Sequence, residues 1–76
     1  MLGDGIYDAL IIDGRVDNDD ARVATLELTI TRGDNKGDVV AVRVTDLARD
    51  PVDALGLPAT LIVEHGVPRV EIEWVG

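Results

Sequence analysis

The chain reads as a mainly β fold, with five strands curled into a small barrel and one short helical turn between the third and fourth. Three observations predict this. Period-2 alternation of apolar and polar residues dominates, polar Gly- or Asp-rich stretches separate the alternating runs, and 76 residues leave room for only one core. A chain of this length buries only about 60% of the surface its unfolded form exposes. The expected organisation is one domain over residues 1–76.

The most regular run places Ala24, Leu26, Leu28 and Ile30 on one face and Thr25, Glu27, Thr29 and Thr31 on the other. That is the pattern of a half-buried strand. After the loop from Arg32 to Gly37, Val40, Val42 and Val44 point one way and Ala41, Arg43 and Thr45 the other. Two such runs about a Gly-rich loop form a β-hairpin. Upstream, Tyr7 to Val16 places Leu10, Ile12 and Val16 on one face. Gly14 inside that run marks a bulge or bend, the device that lets one strand serve two sheet edges. Asp17-Asn18-Asp19-Asp20 makes the turn into the second strand.

Downstream, Thr60 to Glu64 and Arg69 to Trp74 flank His65-Gly66-Val67-Pro68 as a second hairpin. There Val70, Ile72 and Trp74 alternate with Arg69, Glu71 and Glu73. Between the hairpins, Asp50 is a suitable N-cap and Pro51 a suitable first helical residue. Val52, Leu55 and Leu57 would face the sheet, and Gly56 would end the turn.

Strand count and connection lengths resemble an OB-fold or the related SH3-like barrel across nearly the whole chain. The resemblance implies a closed barrel, which removes exposed strand edges. Ile30 to Val42, with the turn Gly33-Asp34-Asn35-Lys36-Gly37, also resembles a KOW motif of ribosomal and transcription-elongation proteins. Shared are the apolar residue before the loop, the Gly-x-x-Lys-Gly turn and the valine strand after it. Val40 stands where that family usually has a second glycine, and Asp38 where a basic or neutral residue is usual. The likeness covers one hairpin, and it implies RNA contact through the loop.

Fifteen Asp and Glu against seven Lys and Arg give a formal charge of −8. Neutralising phosphates dominates nucleic-acid affinity, so this balance argues against such a partner, as it does against an anionic membrane surface. There is no Cys and only one His, and Ser is absent, which excludes serine and cysteine triads. His65 lies in a Glu-His-Gly turn and reads as an exposed turn residue, because a catalytic histidine needs an orienting partner and a cleft. Asp17, Asp19 and Asp20 begin like a calcium loop, but its fifth, sixth and twelfth positions hold Ala21, Arg22 and Leu28. The EF-hand pattern needs an oxygen ligand, Gly and Glu there. No enzyme activity, metal or cofactor is expected. The start, Met1-Leu2-Gly3-Asp4-Gly5, lacks a signal peptide's basic and apolar regions. No run approaches the ~20 apolar residues of a membrane span, and the expected location is cytoplasmic.

The sequence therefore favours a non-enzymatic protein-binding or assembly module. Val39 and Ala41 stand opposite Val40 and Val42, and Ile62 opposite Leu61 and Val63. Two-faced apolar strands imply cover on both sides, from the helical turn, a protein partner or a second copy of the chain. Candidate binding residues are Arg32, Asn35, Lys36 and Arg43, with Tyr7 and Trp74 as the only aromatic rings. Two alternatives make geometric demands. Nucleic-acid binding through an OB- or KOW-like surface requires Arg15, Arg32, Lys36 and Arg43 to cluster. An acidic nucleic-acid mimic that blocks a basic groove requires Asp17, Asp19, Asp20, Asp34 and Asp38 along one rim.

Overall fold

Alternation fixes where the core sits. In the computed structural model, which describes residues 2–47 and 49–75, β2 (Val23–Ile30) buries Ala24, Leu26, Leu28 and Ile30 almost completely. The other strands are β1 (Gly5–Val16), β3 (Val39–Thr45), β4 (Pro58–Glu64) and β5 (Val67–Ile72). All adjacent pairs are antiparallel, in the order β3-β2-β1-β4-β5. The sheet curls into a half-barrel consistent with an OB- or SH3-like fold, with a 3-10 turn, Pro51–Ala54, between β3 and β4. No helix among the described residues is long and apolar enough to cross a membrane.

β1 serves both halves of the sheet. Its N-terminal part pairs with β4 from Gly5↔Val63 to Leu10↔Pro58, and its later part pairs with β2 from Ala9↔Ile30 to Val16↔Ala24. The expected core face of this strand is corrected. Ala9 and Ile11 are buried, whereas Leu10 is half-buried and Ile12 and Val16 are exposed. An irregularity between Ile11 and Asp13, where Ile12 is the extra residue, puts Leu10 and Val16 on opposite faces, and Val16 shares the Ala24 face but lies at the end of the strand. One inserted residue reverses side-chain parity. The bulge therefore lies two residues before Gly14.

Gly14 has a different task. A Cβ there would lie 3.0 Å from the Pro51 carbonyl oxygen and 3.1 Å from Leu26 Cδ2. The missing side chain is what lets the 3-10 turn seat against β1 and plug this end of the core. Asp50 caps that turn through Oδ1, which accepts from the Val52 N–H at 2.9 Å. Pro51 and Ala54 are the buried residues of the turn, not Val52 and Leu55, which are exposed. A 3-10 turn repeats every three residues, and the niche over Gly14 admits only small groups. The turn does not cover the outer faces of the strands.

Two other boundaries differ from expectation. β4 begins at Pro58, and only His65 and Gly66 form the loop to β5, with φ of 53° and 74°. Positive φ at both residues is the geometry of a two-residue hairpin turn that follows sheet twist. Asp4 clamps the tip: its two carboxylate oxygens accept from the His65 N–H (2.9 Å) and the Gly66 N–H (3.0 Å).

The barrel is half closed. β3 and β5 come within 8 Å of each other at their nearest Cα atoms but share no ladder. Each is two antiparallel steps from β1, so they run parallel to each other. The sheet thus ends in two edges facing across a seam.

Candidate docking seam

Backbone direction can be read residue by residue at both edges. The Ile30 N–H donates to the Asp38 carbonyl at 2.9 Å, so Ile30 turns its polar groups toward β3. Direction alternates along an antiparallel strand. Leu28, Leu26 and Ala24 therefore also face β3, and their register partners Val40, Val42 and Val44 use their amides and carbonyls on β2. Val39, Ala41, Arg43 and Thr45 turn theirs to the seam.

On β5, the Glu73 N–H donates to the Pro58 carbonyl at 3.1 Å. By the same alternation Glu71, Arg69 and Val67 face β4, and Pro68, Val70 and Ile72 face the seam. Pro68 has no N–H, and the Ile72 carbonyl already accepts from the Trp74 N–H at 3.1 Å. Along the seam runs an open groove of about 450 Å³, floored by Val42, Val44, Val70 and Ile72 with Arg43 and Arg69 at its lips. The floor is continuous with the core, since Val42 is fully buried and the other three pack against the buried cluster.

Neither a protein-family model, nor a curated protein, nor a solved structure matches this chain. The site is therefore read from its own chemistry.

The predicted binding residues do not converge. Tyr7, Arg32 and Asn35 line one shallow depression beside the Arg32–Asp38 loop, with Lys36 exposed on that loop. Tyr7 lies on the core face of β1, where its hydroxyl donates to the Gly3 carbonyl, so its ring is not an open stacking platform. Trp74 follows β5 and packs against the core, with the Arg49 guanidinium 5.2 Å from its ring centroid. Arg43 stands beyond the other end of β2 from Arg32 and Lys36, in register with Thr25, which is paired in turn with Arg15. The demanded cluster of Arg15, Arg32, Lys36 and Arg43 is thus split.

Its three arginines are also paired with carboxylates. Arg15 pairs with Asp13 (3.3 Å), Arg32 with Asp8 (3.7 Å), Arg43 with Asp17 (3.2 Å), and Arg69 with both Glu64 and Glu71 (3.4 Å each). Arg22 pairs with Asp20 at 3.3 Å. The side chain and the backbone N–H of Arg22 hold the Asp20 carboxyl below its ordinary value. The five carboxylates expected on one rim are separated as well. Asp17, Asp19 and Asp20 precede β2, whereas Asp34 and Asp38 follow it. Eight residues at ~3.4 Å each hold the two groups at opposite ends of the sheet. Among the described residues, no three His, Asp or Glu side chains are grouped to hold a metal.

Sequence reading missed Pro68 as an edge residue, because it was placed in the turn. The signal was available: a proline beside a strand of regular alternation belongs at an edge. It also missed Asp46 and placed Asp38 only on the rim of a nucleic-acid mimic, although the two are the carboxylates immediately before and after β3.

Proposed function

We propose that this chain is a non-catalytic protein-binding module. Its docking surface is the seam edge of β3, which takes an extended segment of another protein as an added strand. One observation carries the reading. Val39, Ala41, Arg43 and Thr45 present successive unpaired N–H and C=O groups beside an apolar groove. Main-chain ladders give such docking its affinity, and pockets for alternate side chains give it specificity.

The seam sets a condition on entry. An interposed strand needs about 9.6 Å between its neighbours, twice the ~4.8 Å strand spacing. The edges approach within 8 Å, so the β4–β5 hairpin swings outward as the strand enters. The neutralised arginines favour a protein partner over nucleic acid, whose binding needs uncompensated cations. Carboxylates at both ends of β2 disfavour the mimic of a nucleic-acid backbone.

The test uses Ala41→Pro. It removes a seam-facing N–H while leaving the β2 ladder intact, since edge strands tolerate proline at such positions. Lysate proteins retained by the tagged wild type after nuclease treatment should be lost with the folded Ala41→Pro variant. Retention by both proteins, or loss on nuclease treatment, would sink the reading.

A further inference from the structure

We infer that the segment this edge accepts is an apolar strand with a basic residue at each end, contributed by a different protein and not by a second copy of this chain. The inference rests on the strand-addition reading above and names its partner class. β3 is seven residues long and bracketed by Asp38 and Asp46. Both are exposed, and neither has a cation within 4.0 Å among the described residues. Asp46 lines the groove itself, at a positive φ of 55° that turns the chain away from the strand. The two cations nearest the groove are already occupied: Arg43 by Asp17, and Arg69 by Glu64 and Glu71. Of the charged groups from Asp38 to Asp46, only the two end carboxylates lack an ion-pair partner within 4.0 Å, with Lys36 and Arg49 lying two and three residues beyond them.

That arrangement opposes self-pairing. Two copies related by a two-fold axis pair antiparallel, each presenting the same patch. Pairing along the full length of β3 centres on Val42 and sets Asp38 of one copy opposite Asp46 of the other, at both ends. Like charges directly opposite destabilise a strand pair. Sliding the centre to Arg43 instead leaves only Ala41 to Thr45 paired, because the chain turns away at Asp46. Sliding it to Ala41 leaves only Val39 to Arg43 paired, because the residues before Asp38 belong to the turn. Every register of a second copy therefore loses either charge compatibility or length. A strand with Lys or Arg at its two ends meets a carboxylate at each end in the full-length register, in either direction. Its middle residues place alternate side chains over Val42, Val44, Val70 and Ile72.

The probes are two end-blocked nine-residue peptides of alternating valine and threonine, one ending in lysine at both termini and one in glutamate. Binding is followed by titration into ¹⁵N-labelled protein. The lysine-ended peptide should bind about tenfold more tightly at about 20 mM salt, and the difference should collapse at about 0.5 M. The Asp38→Asn/Asp46→Asn double variant should remove the preference while still binding both peptides, and Ala41→Pro should bind neither. Equal affinities that Ala41→Pro abolishes would overturn the charge rule and leave strand addition standing. No binding by either peptide, or binding indifferent to Ala41→Pro, would overturn both. Sedimentation of the protein alone supplies the remaining arm: a dimer dispersed by Ala41→Pro would replace the heterologous partner with a second copy.

Discussion

β3 and β5 are both free edges of one sheet, yet only β5 is blocked by proline. β5 carries Pro68 facing the seam, and its outward Arg69 is tied to Glu64 and Glu71. Proline and charge are the usual means by which sheets avoid edge-to-edge pairing. β3 has neither proline nor glycine, and its four seam-facing residues all retain their N–H groups. Among the described residues no buried side-chain polar atom lacks a partner, so the open ladder of β3 is not part of a general looseness. On the strand-addition proposal, the edge without proline is the one that accepts a partner.

The largest effect should come from proline substitutions that separate the two sides of β3. Val42→Pro removes a ladder donor at a residue only 2% exposed, and about 3 kcal/mol or more of stability should be lost. Ala41→Pro should stay within about 1 kcal/mol of wild type, because its N–H has no partner to lose. Urea unfolding followed by circular dichroism measures both. Equal losses would mean that the backbone directions assigned to β3 are reversed.

Next in size is Gly14→Ala, which attacks the seat of the 3-10 turn on β1. A Cβ 3.0 Å from the Pro51 carbonyl oxygen obliges the turn to give way by a few tenths of an ångström. Overpacking of this kind costs about 1–3 kcal/mol, which for a domain this small lowers Tm by roughly 4–8 °C per kcal/mol. An unchanged melting temperature would show that the turn is not tightly seated there.

Pro68→Thr removes the asymmetry itself. It gives β5 a seam-facing donor, and a hydrogen bond of about 1 kcal/mol from the new N–H at position 68 to a β3 carbonyl should slow exchange of that amide roughly fivefold below the rate of an open one. Native-state hydrogen exchange reads this directly. If that amide exchanges as an open one, proline is not what keeps the seam open.

The smallest effect belongs to Asp20, in the β1–β2 turn. Its carboxyl titrates below the ordinary 3.8 because the Arg22 side chain and N–H favour the charged form. A depressed folded pKa contributes stability that is fully present above the unfolded value and lost as pH falls through the folded one. Wild type should therefore exceed Asp20→Asn in Tm by a constant margin above about pH 5, and the two should converge below about pH 3. Divergence on acidification would reverse the sign assigned to this pair.

Where one residue type at one period decided the structure, the fold was legible. Ala24 to Ile30, Val40 to Val44 and the Asp50-Pro51 cap all stand as the alternation and capping rules require. β1 was misread because the period-2 count has no means of detecting a single inserted residue, and Ile12 reverses every assignment on one side of it. The 3-10 turn was misread because apolar bulk drew attention to Val52 and Leu55, whereas the space over Gly14 selects Pro51 and Ala54. The seam left no mark on any one residue. It emerges from two strands far apart in sequence failing to meet, and only Pro68 hinted at it. The separation of Asp17, Asp19 and Asp20 from Asp34 and Asp38 was legible in principle, because one strand lies between them.

β1 has a partner on either side, and those partners are made at different times. β2 and β3 follow it directly, while β4 begins only at Pro58. During synthesis the β1–β2–β3 meander can form from contacts near in sequence, which close fastest. The pairing of Gly5 with Val63 must wait until almost the whole chain is available. For that interval Ala9 and Ile11 lie on a half-covered sheet whose β4-facing edge is open, alongside the bare edge of β3. A β1–β2–β3 meander alone would expose two open edges, the β4-facing side of β1 and the outer side of β3.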